Sequence, residues 1–345
     1  MRKIWSNPEH NGQLLMGTLL SLNPFKPPWF LRNRHVQSIF ASMKFRRPLV
    51  RKRAFGLLKR SKEVILHCNH GVRLQGFFSG HPGDEERDLV ILFHGWEGNS
   101  DSMYLLSAAG ILFKKGLNVF RLNFRDHGTS HHLNREPFHS CRLEEVLDAI
   151  QIIQRDYGNR GKLFLCGFSL GGNFSLRVAA NVRQNNIHLH KVVAICPVLH
   201  PPDTMDNIEK GLFLYRWYFI QKWKRSLMKK QAIFPGHYSF DDPEIFRSLF
   251  RMTDILVDRY TPYPDSQTYL HSYSVTGEVL KDLKIPVHII ISRDDPVIPY
   301  SNLAQVARSE NLEITTTEYG GHCGFIQGIS MKSWIDNRLV DLLAS

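Results

Sequence analysis

The sequence contains no apolar run that could cross a membrane. A transmembrane helix needs about 20 consecutive apolar residues, and no stretch of about 18 apolar residues occurs in this chain. The mildly apolar stretch 14–22 follows Arg2 and Lys3 but has no small-residue cleavage pattern after it. We therefore expect neither a transmembrane helix nor a secretory signal.

Cysteine is scarce, and its spacing excludes the usual metal and disulfide frameworks. The five cysteines form no C-x-x-C pair and are odd in number, which predicts reduced thiols and a cytoplasmic protein. No Cys/His spacing resembles a zinc site. A short stretch is rich in histidine, at His127, His131, His132 and His139. Because no helical or hairpin ligand spacing supports a metal there, we interpret it as a polar loop and expect no metal or cofactor.

Acidic residues are absent from one strongly basic stretch. The formal net charge is +12, and residues 44–62 contain nine Lys or Arg and no Asp or Glu. The favoured interpretation is a solvated surface. The alternative is peripheral contact with an anionic membrane surface. Because none of the usual nucleic-acid-binding motifs is present, no nucleic-acid partner is expected.

Helix and strand patterns alternate through residues 63–196 and again through 286–344. This order predicts an α/β fold with a mostly parallel sheet flanked by helices. The gap between the two stretches predicts a helical cap insertion. The expected parts are a basic N-terminal extension (1–62) that packs on the core, the core itself (63–200 and 284–345) and the cap (201–283).

A basic, aromatic segment within the cap, residues 211–230, has the pattern of a helix. Phe213, Trp217 and Ile220 fall on one predicted face, and they could line a substrate pocket. Two other interpretations remain open. The face could pack on the core, or the amphipathic helix could lie on a membrane surface.

A glycine-flanked serine stands between a predicted strand (163–166) and a predicted helix (173–182). Gly167 and Gly171 surround Ser169 in a turn so tight that larger side chains would clash with the neighbouring backbone. Such a turn would expose the serine hydroxyl above the sheet, where a base and a substrate could reach it. Taken alone, the motif is also compatible with an ordinary glycine-rich turn.

Partners that could activate this serine follow later in the chain. A serine hydroxyl needs a base, and the base needs an acid that orients it. The apolar run 286–292 predicts a strand that ends at Asp294 and Asp295. We favour Asp295 as the acid because it directly precedes a Pro-Val-Ile-Pro turn. His322 follows the last predicted strand, between glycines, and is the predicted general base.

Two backbone N–H groups could stabilise an oxyanion. One belongs to Leu170, the residue after the serine. The other belongs to Trp96, in the loop after the predicted strand 89–93. That loop could also be a simple turn built on Gly95 and Gly98. The four features occur in one order on predicted strand ends, which argues against coincidence.

Together these motifs resemble the YheT-like branch of predicted esterases with the α/β-hydrolase fold. The resemblance runs from about residue 24 to the end, and its motifs are Pro24-Phe-Lys-Pro-Pro-Trp-Phe, His94-Gly-Trp-Glu-Gly, Gly167-Phe-Ser-Leu-Gly-Gly-Asn, Asp294-Asp-Pro and Gly320-Gly-His-Cys-Gly-Phe. It implies the α/β-hydrolase fold and carboxylic-ester hydrolysis, with relatives that act on medium-chain acyl esters or phospholipids.

The main hypothesis is therefore a serine hydrolase of small-molecule acyl esters. Ser169, His322 and Asp295 form its triad, and Trp96 and Leu170 form its oxyanion hole. An alcohol acyltransferase with the same triad remains an alternative, as does a non-catalytic protein that binds a membrane surface.

Overall fold

The computed structural model describes residues 25–83, 86–158 and 161–344. Residues 1–24 of the predicted N-terminal extension, which include the stretch 14–22 considered above as a possible signal, lie outside the described residues.

One sheet forms the centre of the molecule, with its strands in the order β1-β2-β4-β3-β5-β6-β7-β8. The strands are β1 (Ser61–His67), β2 (Arg73–Ser79), β3 (Leu89–Phe93), β4 (Asn118–Leu122), β5 (Leu163–Phe168), β6 (Lys191–Ile195), β7 (Val287–Ser292) and β8 (Leu312–Thr317). Strands β3 to β8 pair in parallel, whereas β2 is antiparallel to both β1 and β4. The prediction of a mostly parallel sheet is confirmed.

The central strands are buried on both faces. Every residue of β3, β5 and β7 is buried, as expected for parallel strands that carry helices on both sides. The carboxyl ends of these parallel strands lie at one edge of the sheet, so the loops that follow them meet there.

Helices cover both faces of the sheet. Within the described residues they are α1 (Arg34–Ser42), α2 (Arg47–Arg53), α3 (Phe55–Lys59), α4 (Met103–Lys114), α5 (Leu143–Tyr157), α6 (Leu170–Asn181), α7 (Pro201–Lys210), α8 (Phe213–Ile233), α9 (Leu249–Tyr260), α10 (Ser266–Ser272) and α11 (Trp334–Leu343). One apolar core joins α5 and α6 to the sheet. A second core, on the other face, contains residues of α4 and α11.

The basic N-terminal helices α1 to α3 pack beside α4. Val50, Ala54 and Leu57 are buried in the same apolar core as α4, and a Cβ added to Gly110 of α4 would lie 3.0 Å from the Ala54 Cα. The charged side chains of α2 point outward, where Arg51 and Lys52 are exposed. The basic stretch is therefore a helical layer with one apolar side.

Four helices, α7 to α10, occupy the chain between β6 and β7. The longest of them, α8, has 21 residues. Because β6 and β7 pair directly with each other, this segment leaves and returns at neighbouring strands. Among the residues that the structure describes, no helix is both long and apolar enough to span a bilayer.

Candidate active site

Ser169 lies in a strained turn between β5 and α6. Its φ of 55° and ψ of −118° are rare for a residue with a side chain, and such strain concentrates at functional sites. A Cβ on Gly167 would lie 2.1 Å from the Gly171 carbonyl oxygen, and a Cβ on Gly171 would lie 2.5 Å from the His94 carbonyl oxygen. Glycine is therefore required on both sides of the serine.

The imidazole of His322 bridges Ser169 and Asp295. Its Nε2 lies 2.9 Å from Ser169 Oγ, and its Nδ1 lies 2.9 Å from Asp295 Oδ2. The other Asp295 oxygen accepts the N–H groups of Val297 and Ile298, at 2.8 and 3.0 Å. This fixes the carboxylate, so the histidine donates from Nδ1 and presents Nε2 to the serine.

The neighbouring Asp294 has a different place. Its Oδ1 accepts the N–H of Gly321 at 2.9 Å, so it supports the loop before His322 and does not meet the ring. Burial raises the pKa of this carboxyl group. Of the two aspartates that the sequence left open, the structure brings Asp295 to the histidine.

Two opposing influences act on the protonation of His322. Burial is the largest single influence and lowers its pKa, because a charged imidazole is poorly solvated there, but the negative charge of Asp295, the nearby Cys323 and the hydrogen bond to Asp295 together outweigh it. The net effect raises the pKa of His322 from 6.5 to about 9. The pair thus holds a positive charge on the ring firmly, which is the state the ring reaches after accepting a proton from a serine.

The two predicted oxyanion donors lie beside Ser169. A Cβ added to Gly95 would lie 3.1 Å from the Cβ of Ser169, so the loop that carries Trp96 touches the serine. Within the described part of the chain, neither the Trp96 N–H nor the Leu170 N–H has a protein acceptor. Two free donors next to a nucleophile are what an oxyanion needs.

A pair of buried histidines holds the Trp96 loop in place. His94 donates from Nδ1 to the Gly95 carbonyl (2.8 Å) and accepts the Phe124 N–H at Nε2 (3.2 Å). His127 donates to the Arg125 carbonyl (2.7 Å) and accepts the Glu97 N–H (3.2 Å). Burial lowers the pKa of His94 well below its usual value and that of His127 to about 4. Both are therefore neutral connectors between two loops.

An apolar cavity opens at Ser169, and residues of helices α7 to α10 line it. Its apolar and aromatic lining is Trp96, Phe138, Leu170, Val198, Pro201, Met205, Ile208, Phe219, Trp223, Leu256, Tyr269, Tyr273 and Val297. Ser169, His139, Ser140, Thr204 and Thr253 are its polar residues, and among the described residues no Asp, Glu, Lys or Arg lines it. Such a surface fits an uncharged, largely apolar ligand.

The cap residues predicted to bind substrate do not line this cavity. Phe213 and Trp217 are 64% and 48% exposed, and Ile220 is buried but outside the lining. The face of α8 that points toward the core lies about a quarter turn around the helix from the predicted face. Phe219 and Trp223, on that core-facing side, line the cavity instead. Aromatic residues occur on both faces of α8, and the helical spacing that grouped Phe213, Trp217 and Ile220 did not distinguish the face that lines the cavity.

A buried ion pair that the sequence did not suggest fixes α8 to the core. Lys230 Nζ lies 2.7 Å from Asp126 Oδ1, and the two side chains are 1% and 7% exposed. Lys230 also donates to the carbonyls of His131 (3.2 Å) and Asn134 (2.6 Å). The other Asp126 oxygen accepts the Phe138 N–H at 2.8 Å. The histidine-rich stretch therefore provides the surface to which helix α8 is bound.

In the described ranges, the side chains grouped closely enough to suggest a metal site are Cys196, His322 and Cys323, whose ligand atoms lie within 4.8 Å of one another. Both ring nitrogens of His322 already contact Ser169 and Asp295. A metal ion would have to displace one of them, so this arrangement fits a hydrogen-bonded triad better than a metal centre.

Comparison with known proteins identifies relatives along most of the chain. The family model described as alpha/beta hydrolase fold matches residues 88–329. The chain is 25% identical to a protein named "Putative esterase YheT" from Escherichia coli (strain K12), over 76% of this chain and 78% of that protein. It is also 24% identical to "Monoacylglycerol lipase ABHD2" of Danio rerio, over 57% of this chain and 49% of that protein.

A solved structure with the same architecture is that of the 2,6-dihydroxy-pseudo-oxynicotine hydrolase. It superposes with a TM-score of 0.58 at 16% identity, covering 90% of this chain and 78% of that one. At this identity the likeness concerns the fold.

Proposed function

The chain belongs to the α/β-hydrolase fold family, and from this premise we propose that it is a carboxylic-ester hydrolase, as its named relatives suggest, and that it cleaves acyl esters through a serine–histidine–aspartate triad. The observation that carries the proposal is the pair of 2.9 Å contacts that join Ser169, His322 and Asp295 in one line. The resemblance to the YheT-like branch, expected from the motifs, agrees with the E. coli relative.

In the proposed reaction, Ser169 Oγ attacks the ester carbonyl while His322 Nε2 accepts its proton. Asp295 stabilises the imidazolium and keeps Nδ1 as a donor. The N–H groups of Trp96 and Leu170 receive the developing oxyanion. His322 then protonates the leaving alcohol, and water hydrolyses the acyl-enzyme by the same steps in reverse. In this proposal, groups of this chain stabilise both the positive charge on the imidazole and the negative charge on the oxyanion.

The cavity supports an uncharged acyl ester as substrate. Its wall is largely apolar and, as far as the described residues go, contains no carboxylate, amine or guanidinium, so a free acid or a cationic group would enter it at a cost in desolvation. We propose that the apolar part of the substrate lies between Met205, Phe219 and Trp223, with the carbonyl at Ser169.

The test is turnover of a panel of p-nitrophenyl esters by Ser169→Ala. Removal of the nucleophile should lower kcat by about 10³-fold or more. Ser175→Ala is a matched control, since this buried hydroxyl donates to the Gly171 carbonyl of its own helix and does not meet His322. Undiminished hydrolysis by the Ser169 variant would end the proposal.

We also propose that the enzyme contacts an anionic membrane surface through the beginning of α8. Leu212, Phe213, Leu214 and Trp217 are each more than 40% exposed, and Arg216 lies among them. Exposed aromatic and basic residues on one helix are typical of interfacial binding.

The double variant Phe213→Ser/Trp217→Ser should sediment less with phosphatidylserine vesicles. Ile329→Ser, at an exposed site elsewhere, should not differ from wild type, and equal losses in both variants would contradict this surface.

A further inference from the structure

The cavity wall contains a histidine whose ring makes edge contacts with Tyr263 and Tyr269 but no hydrogen bond within the described part of the chain. His139 is 8% exposed and lines the same cavity as Ser169. Its buried Nδ1 has no hydrogen-bond partner, and none of the hydrogen bonds in the described ranges reaches its Nε2. By contrast, each ring nitrogen of His94 and His127 has its own partner. The two rings that hold loops are satisfied, and the ring at the cavity is not.

The two threonine hydroxyls of the wall differ from His139, because the protein already uses them. Thr204 Oγ1 donates to the His200 carbonyl at 3.1 Å, and Thr253 Oγ1 donates to the Leu249 carbonyl at 2.8 Å. These hydroxyls satisfy their own helices. A buried imidazole without a partner loses its hydration and gains nothing in return. The Nδ1 atom is enclosed, so a bound ligand that hydrogen-bonds Nε2 would recover part of that loss.

The chemistry of this ring selects an uncharged partner. Burial lowers the pKa of His139, and Arg142, Arg125 and Arg177 lower it further, to about 3. The ring is therefore neutral near neutral pH, with one N–H donor and one acceptor nitrogen. Since the remaining wall has no charged side chain in the ranges that the structure describes, none of these residues would balance a charged ligand group. A hydroxyl, which both donates and accepts, matches the ring best.

We propose that His139 is a specificity-determining residue that hydrogen-bonds an uncharged hydroxyl of the ester substrate, at a point in the cavity separate from the ester carbonyl. The inference rests on the proposed function, because it takes Ser169 as the nucleophile. The hydroxyl belongs either to the acyl chain or to the alcohol part, such as a glycerol group, and the chemistry at His139 is the same in both cases.

Two pairs of esters distinguish these sources. In the acyl pair, p-nitrophenyl octanoate is compared with a p-nitrophenyl hydroxyoctanoate. In the alcohol pair, propyl octanoate is compared with glycerol mono-octanoate. Wild type should prefer the hydroxylated ester of one pair by about tenfold in kcat/KM, which is the worth of one hydrogen bond. The pair that shows the preference identifies the part of the substrate that meets His139.

The ratio of kcat/KM for the hydroxylated ester to that for its partner should fall to about one in His139→Leu. It should return in part in His139→Gln, which keeps a donor and an acceptor. His132→Leu is the matched control, because His132 is exposed and its preference should equal that of wild type. Absence of any preference in wild type, or its survival in His139→Leu, overturns the inference. If wild type hydrolyses none of the four esters, the proposed function itself fails, a result distinct from hydrolysis without preference.

Discussion

The two sides of the cavity are built in different ways. On the sheet side, Ser169, Asp295 and His322 follow the ends of β5, β7 and β8, and hydrogen bonds fix each of them. On the helical side, Phe219 and Trp223 of α8 are held by apolar packing and by the Lys230–Asp126 ion pair. The positions of the proposed catalytic groups are therefore fixed by backbone geometry. The shape of the substrate cavity depends instead on how helix α8 packs against the core.

Loss of the acid on the sheet side should have the largest effect. Asp295→Asn removes the charge that stabilises the imidazolium and allows the wrong tautomer, so kcat should fall by about 10³- to 10⁴-fold. Asp294→Asn keeps an oxygen for the Gly321 N–H and should lose much less. Steady-state kinetics on one p-nitrophenyl ester compare the two. An equal loss in both variants would contradict the assignment of Asp295.

Loss of the Lys230–Asp126 ion pair should lower the stability of the protein more than its catalytic rate. Lys230→Met leaves Asp126 as a buried, unpaired carboxylate, which should cost about 3–5 kcal/mol in the free energy of unfolding. Lys229→Met, at an exposed neighbouring position, should change it by less than about 0.5 kcal/mol. Urea unfolding measures both variants. A Lys230 variant as stable as the control would show that the pair does not hold the helical side.

The pH dependence of activity should report the raised pKa of His322. Only the neutral ring can accept the Ser169 proton, so kcat/KM should rise with pH, by up to tenfold per unit, and level off near pH 9. For stability the sign is reversed. A pKa above the unfolded value of 6.5 stabilises the fold fully below pH 6.5, and this contribution is lost as the pH rises through about 9.

The residual activity of Asp295→Asn provides the control for this profile. Without the carboxylate, burial remains as the main influence on His322, so the apparent pKa of the profile should move below 6.5. A profile that stays in place in this variant would show that another group titrates.

The smallest effect is expected from truncations on the helical side. Trp223→Ala should shift the preferred acyl length upward, because it lengthens the apolar space, with a change of about 0.8 kcal/mol for each added methylene that becomes buried. Trp217→Ala, which alters the exposed side of the same helix, should leave the chain-length profile as it is. If the preferred acyl length shifted in Trp217→Ala but not in Trp223→Ala, the face of α8 predicted from the sequence would be the one that contacts the substrate.

The same contrast explains what could be predicted from the sequence. The turn at Ser169 demands glycines at 167 and 171, and the parallel strands place Asp295 and His322 at one edge, so local pattern and chain order suffice on that side. The helical side depends on the rotation of α8, which Lys230 sets by reaching Asp126 more than 100 residues away in sequence. His139 was seen only as part of a polar loop, because a missing hydrogen bond leaves no pattern in a sequence.

The most direct measurement for the central claim is labelling with a fluorophosphonate, followed by intact mass and peptide mapping. An activated serine should add one phosphonyl group, at Ser169, with no addition in Ser169→Ala and much slower addition in His322→Gln. No labelling of the folded wild-type protein, or labelling that persists in Ser169→Ala, would contradict the account.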